Sequence, residues 1–137
     1  MKDGICFVGV ALGQALRGLA SACIDLSDGL SVDAARLLRN SGCGAQIEAA
    51  RLPLSDALRA YCGARAVQLA LGGGEDYELL FSAAAARGAA IERAAAHLGE
   101  RISRIGEVCE GDGLTVNWSN DARSAAASPA SFDHFGR

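Results

Sequence analysis

Apolar positions recur along this chain with two different periods, and the switches between them mark out its elements. In "ALGQALRGLA" (11–20) Ala11, Ala15, Leu16 and Leu19 fall on one side of a helix. "SACID" (21–25) is too short and too apolar for a helix and predicts a buried strand, with "LSDGL" as the turn after it. The run "SVDAARLLRNSGCG" returns to helical spacing, with Leu30, Ala34, Leu37 and Leu38 sharing a face. Ser31 or Asp28 is its expected cap, and Gly42 or Gly44 its stop.

"AQIEA" (45–49) predicts a strand. "SDALRAY" and "ARAVQLAL" predict two short helices, the first capped by Ser55 after Pro53. "YELLFS" (77–82) predicts a strand. "AAIERAAAHLG" predicts a helix burying Ile91, Ala94, Ala95 and Leu98 and stopped by Gly99. "SRIGEVCEGDGLTVNW" predicts two strands in a hairpin, turning at Glu110 to Gly113. "SNDARSAAASPAS" is of low complexity and expected to be loose, and "FDHFGR" closes the chain. Alternating strands and helices with a terminal hairpin define an α/β fold of the α+β type, with helices packed on a mixed sheet.

A length of 137 residues suits one domain, and a 50% hydrophobic composition is enough for a real core. The net charge of -3 argues against a nucleic-acid partner, which would call for clustered Lys and Arg. Cys6, Cys23, Cys43, Cys62 and Cys109 are odd in number and scattered, with no CxxC pair. That spacing suits neither a disulfide framework nor a zinc site. They are expected to be small buried apolar residues in a reducing cytoplasm. No apolar run is long enough to span a bilayer, and "MKDGICFVGVALG" lacks a cleavage signal.

Two stretches can carry chemistry. In "IDLSDGL" (24–30) Asp25 ends an apolar run and Asp28 precedes a helix. Ligands gather at such strand-to-helix junctions in α/β proteins, and two carboxylates three residues apart can converge on a hard cation such as Mg²⁺. Ser27 can add a hydroxyl, and Gly29 can let a ligand approach the backbone. The same residues also admit Asp28 as a helix cap and Asp25 as a solvated turn residue. In "LGGGEDYELLF" (71–81) three glycines lead into Glu75 and Asp76. A phosphate cradle would not put two carboxylates in its mouth. Plain loop composition is the other reading of that stretch.

"IDLSDGL" followed by "GGGEDYELLF", then "HLG", "RIGEV" and "FDHFG", resembles thiamine-monophosphate kinase over about residues 11–135, within the aminoimidazole ribonucleotide synthetase superfamily. That resemblance implies the fold of the superfamily's C-terminal domain for residues 11–137, with 1–10 as an atypical lead-in. It implies ATP-dependent phosphorylation of thiamine monophosphate to thiamine diphosphate, with Mg²⁺ as cofactor and K⁺ as an auxiliary ion. By it, Asp25 and Asp28 match metal ligands, Ser27 a nucleotide contact, and Glu75 and Phe132 contacts to the substrate.

Thiamine monophosphate carries a cationic ring and hydrogen-bond donors. A carboxylate such as Glu75 complements these and would repel a phosphate. No residue is expected as a general base, His97 lying in a helix and His134 in the tail. Phosphoryl transfer onto an anionic phosphate needs positioning and charge neutralisation more than deprotonation. The resemblance also implies an N-terminal domain that supplies most metal and nucleotide contacts and a homo-oligomer interface. The chain is therefore expected to act as one half of a cytoplasmic kinase, inactive alone. The alternative is a non-catalytic ligand-binding or assembly module of the same superfamily.

Overall fold

The computed structural model describes residues 4–8 and 12–118. Six strands form one mixed sheet in the order β2-β4-β1-β5-β3-β6. They are β1 (Gly4–Val8), β2 (Ala22–Asp25), β3 (Gly44–Glu48), β4 (Leu79–Ala83), β5 (Ile102–Cys109) and β6 (Gly113–Asn117). Four helices join them: α1 (Leu30–Ser41), α2 (Asp56–Cys62), α3 (Ala66–Gly72) and α4 (Gly88–Leu98). The mixed sheet with packed helices is as expected. The lead-in segment contributes β1, which pairs antiparallel with both β4 and β5 in the middle of the sheet. Phe132, His134, the "FDHFG" motif and the loose stretch before it lie outside the described residues.

Alternation along β4 sorts the core into two layers. Leu80 faces a cluster with Leu26, Leu30, Ala34, Leu37 and Leu38, where α1 and α3 cover the sheet. Phe81 and Ala83 face the other way, against Leu12, Leu16, Ile91 and Ala95. The apolar stripe read from α1 is thus its buried face, and Gly42 ends it in the left-handed conformation. Ser55 caps α2, accepting from the Leu58 amide at 3.1 Å, and Gly99 stops α4.

Three expectations are corrected. Residues 12–19 form successive turns, not an α-helix, although Leu12 and Leu16 are buried as the spacing required. Gly13 and Gly18 interrupt this segment, and Gly18 adopts φ +76, which the α-helix excludes. Leu98 is 47% exposed, because it sits in the last turn of α4, past the edge of the packed layer.

The terminal strands do not pair as a hairpin. Strand β3 lies between them, antiparallel to β5 and parallel to β6. The link of residues 110–112 can cross two strand spacings, roughly 10 Å, and the slot between receives Ala45 and Ile47, both fully buried. The register of β1 with β5 shifts between Ile5 and Cys6, leaving Ile105 as an extra residue. That bulge brings Arg104 and Glu107 to one face, where they form an ion pair at 3.0 Å.

Candidate functional site

The site begins where β2 ends. Asp25 stands opposite Leu79 in the antiparallel register, so the chain leaving β2 runs beside the chain entering β4. The two motifs are therefore bonded backbone to backbone. The Leu26 amide donates to the Glu78 carbonyl at 2.9 Å, Tyr77 donates to Leu26 at 3.0 Å, and Glu75 donates to Ser27 at 2.9 Å. Leu26, fully buried, roots the junction in the core.

Glycines make this contact possible. A Cβ on Gly74 would stand 2.7 Å from the Ser27 carbonyl oxygen, and one on Gly29 would stand 3.1 Å from that of Gly73. Gly29 also holds φ +118, a conformation side chains disfavour. Gly29, expected to let a ligand approach the backbone, and Gly74 here let one loop approach the other. Glu75 (φ +66) and Tyr77 (φ +51) are both held in the left-handed region, a conformation that costs energy and tends to mark functional loops. Glu75 is exposed, and Tyr77 is 64% exposed.

The N-terminus of α1 is organised by a residue the motifs did not point to. Asp33 is 1% exposed, and its Oδ2 accepts from the amides of Ser27 (3.0 Å), Asp28 (2.9 Å) and Gly29 (3.2 Å). Its Oδ1 accepts from Arg36 Nη1 at 2.9 Å, and the same Nη1 also pairs with Asp28 Oδ2. Hydrogen bonding to Asp28, above all, raises the Arg36 pKa above its usual value. A signal for Asp33 was present in the sequence. It is a carboxylate on the buried stripe of α1, between Leu30 and Leu37, and such a group must find several partners.

Neither expected cap is the cap. Gly29 occupies that position without a side-chain bond, Ser31 is buried inside the first turn, and the Asp28 carboxylate goes to Arg36. The loop amides, which would otherwise form an anion cradle, are filled by the protein's own carboxylate.

Asp25, Ser27, Asp28 and Glu75 are thus gathered on two joined loops at one edge of the sheet. Asp25 is exposed and Asp28 half-buried. Among the described residues no group of three or more His, Cys, Asp or Glu comes together. Asp25 and Asp28 offer two carboxylates, that of Asp28 paired with Arg36, and an ion such as Mg²⁺, which takes one or two carboxylates with water and phosphate oxygens, would draw on this donor set. His97 is on α4, which covers the opposite face of the sheet from α1.

Behind the loop is a cavity of about 340 Å³, walled by Leu30, Leu52, Leu58 and Leu69, with Asp76 and Glu78 also lining it. Partial desolvation beside these walls raises the Asp76 carboxyl from its usual value, although the residue as a whole is exposed. Four of the cysteines differ from expectation: Cys23 is exposed, and Cys43, Cys62 and Cys109 are half-buried, all as free thiols, while the side chain of Cys6 lies outside the described ones. Partial desolvation, and then the Asp25 charge, raise the Cys23 thiol, although the residue as a whole is exposed. Cys23 lies on the Phe81 face of this edge strand, while its neighbours Ala22 and Ile24 pack against the other layer. Among the described residues no helix is long and apolar enough to cross a membrane.

Sheet order, helix layers and the two joined loops define an α+β domain with a mixed sheet. The chain belongs to the family described as AIR synthase related protein, C-terminal domain, whose model matches residues 7–119. Thiamine-monophosphate kinase of Escherichia coli O157:H7 is 39% identical over 134 residues, covering 90% of this chain and 38% of that protein. The crystal structure of thiamine-monophosphate kinase from Stenotrophomonas maltophilia K279a superposes with a TM-score of 0.77 at 29% identity, over 91% of this chain and 51% of that one. AaThiL complexed with AMPPCP and TMP gives a TM-score of 0.80 at 25% identity, over 98% of this chain and 52% of that one. The chain thus spans 38% of the length of the curated relative and about half of each solved one.

Proposed function

We propose that this chain is the C-terminal part of a thiamine-monophosphate kinase, which uses ATP to convert thiamine monophosphate to thiamine diphosphate. The observation that carries this reading is the backbone pairing of residues 26–27 with residues 75–78, which sets Asp25 and Asp28 beside Glu75. The identity to the Escherichia coli kinase and the likeness to AaThiL, solved with an ATP analogue and TMP, support it.

In the reaction an oxygen of the acceptor phosphate attacks the γ-phosphorus, the β,γ-bridging P–O bond breaks, and ADP leaves. Asp25 and Asp28 would hold Mg²⁺, which neutralises charge on the phosphates when bound. Ser27, whose hydroxyl takes part in no described hydrogen bond, is assigned to the nucleotide. Glu75 complements the cationic ring and amine donors of the acceptor, and Phe132 is assigned to the same ligand. Because Asp33 fills the loop amides, this segment does not grip a phosphate directly. The regions that the relatives have beyond the matched span would supply the rest of the metal and nucleotide shell.

The test is ATP-dependent formation of thiamine diphosphate by the purified chain, with and without an added N-terminal domain of a related kinase. Activity is expected only with both parts. Turnover typical of a kinase by the chain alone would overturn the division of labour. No turnover with a correctly associated partner would favour a non-catalytic module.

A further inference from the structure

Two carboxylates, those of Asp28 and Asp33, share one guanidinium at the start of α1, and they do not play equal parts. Arg36 Nη1 bridges Asp28 and Asp33. The Arg36 side chain is 46% exposed, whereas that of Asp33 is 1% exposed. Asp33 is fixed by three loop amides, while Asp28 has Arg36 as its one charged partner among the described residues. One end of the bridge is therefore rigid and the other can open.

We propose that Arg36 is a resident counter-ion, displaced from Asp28 by a divalent cation, and that Asp33 is the positioning residue that keeps the loop in place during the exchange. This rests on the reading of Asp28 as a metal ligand given above. Without a metal, Asp28 and Asp33 would repel one another at the start of α1, and the guanidinium offsets that repulsion. The planar fork of an arginine can serve two carboxylates at once and release one without losing the other. On arrival of the cation, Arg36 leaves Asp28 and stays on Asp33 Oδ1. Asp33 Oδ2 meanwhile holds the amides of Ser27, Asp28 and Gly29. The Asp28 carboxylate is thus freed with no rearrangement of the backbone that aims it.

The two residues then have opposite effects on metal affinity, which a merely structural role for both would not give. The probe is Mn²⁺ alone, titrated against the full chain while paramagnetic broadening of its backbone amide signals is followed. In the unmodified chain, broadening is expected to centre on Asp25 to Gly29. Arg36→Gln removes the competitor and should tighten Mn²⁺ binding by about threefold, the worth of a half-exposed ion pair. Asp33→Asn should weaken it by about tenfold, as loss of a group that orients a ligand does.

Unchanged or weaker binding in Arg36→Gln overturns the exchange, and unchanged binding in a folded Asp33→Asn overturns the positioning role. Absence of broadening at Asp25 to Gly29 in the unmodified chain, also with the N-terminal domain of a related kinase added, removes the metal reading itself, a result distinct from the other two. If Asp33→Asn does not fold, amide hydrogen exchange in the unmodified chain decides instead. The amides of Ser27, Asp28 and Gly29 must be protected equally with and without saturating Mg²⁺, and loss of protection on adding Mg²⁺ overturns the proposal.

Discussion

The Glu75 amide donates to the Ser27 carbonyl at 2.9 Å, tying two motifs far apart in sequence into one unit. A carboxylate assigned to the acceptor and a loop assigned to metal and nucleotide therefore share one backbone frame. Gly74, beside Glu75, leaves no room for a side chain against that same carbonyl. Gly74→Ala is expected to push the loops apart and destabilise the chain by about 1–3 kcal/mol, the usual cost of overpacking. Urea denaturation monitored by circular dichroism checks this. An unchanged midpoint would mean the loops are not held together.

Removing the Asp33 carboxylate leaves three loop amides without their acceptor and Arg36 without its buried partner. Asp33→Ala should cost about 2–4 kcal/mol, from unsatisfied donors and a broken charge pair. Asp33→Asn keeps one oxygen and should cost less. Thermal or chemical unfolding of the two variants side by side measures the difference, and equal losses would contradict the role of the retained oxygen.

Substitutions on the two loops should separate the acceptor from the phosphates in the assembled kinase. Glu75→Gln keeps the shape and removes the charge, so binding of thiamine monophosphate should weaken by about 1.5–3 kcal/mol, with ATP affinity nearly unchanged. Asp28→Asn should lower turnover and raise the Mg²⁺ requirement, because a hard anionic ligand is lost. Steady-state kinetics varying each substrate and Mg²⁺ in turn resolve the two effects. A larger loss of ATP binding in Glu75→Gln would reverse the assignment of the loops.

Asp76 should make stability fall, not rise, with pH. Partial desolvation holds its folded-state pKa above the unfolded value of about 3.9. Between those two values the folded state binds more protons, so unfolding free energy declines as pH rises and then levels off. Asp76→Asn removes that decline. The stability of the variant relative to the parent should increase from about pH 3 toward neutrality. Denaturation midpoints across that range test the sign, and a relative stability that drops with pH would refute it.

Glu75 and Tyr77 both hold positive φ, so backbone freedom at these positions should be tolerated or beneficial. Tyr77 is exposed, and Tyr77→Gly is expected to change stability by no more than about 1 kcal/mol despite the large loss of side chain. Loss of several kcal/mol in a melting experiment would show that the ring, not the backbone, holds this loop.

Much of the domain follows from local spacing in the sequence. The buried stripe of α1, the Ser55 cap, the left-handed stops at Gly42 and Gly99 and the alternation of β4 are properties of single segments. Propensity and period decide such features within a few residues of chain. The two chemical motifs were legible for the same reason, since each is contiguous. Strand order was not legible, because β3 fits between β5 and β6 only once Ala45 and Ile47 find the core. Nor was the purpose of the glycines, which depends on which backbone lies opposite, Ser27 facing Gly74 and Gly73 facing Gly29. Asp33 showed only as a charge on an apolar stripe. The folded chain alone supplies its partners, by closing the 27–29 loop over it, because a buried carboxylate is stable only where several donors converge.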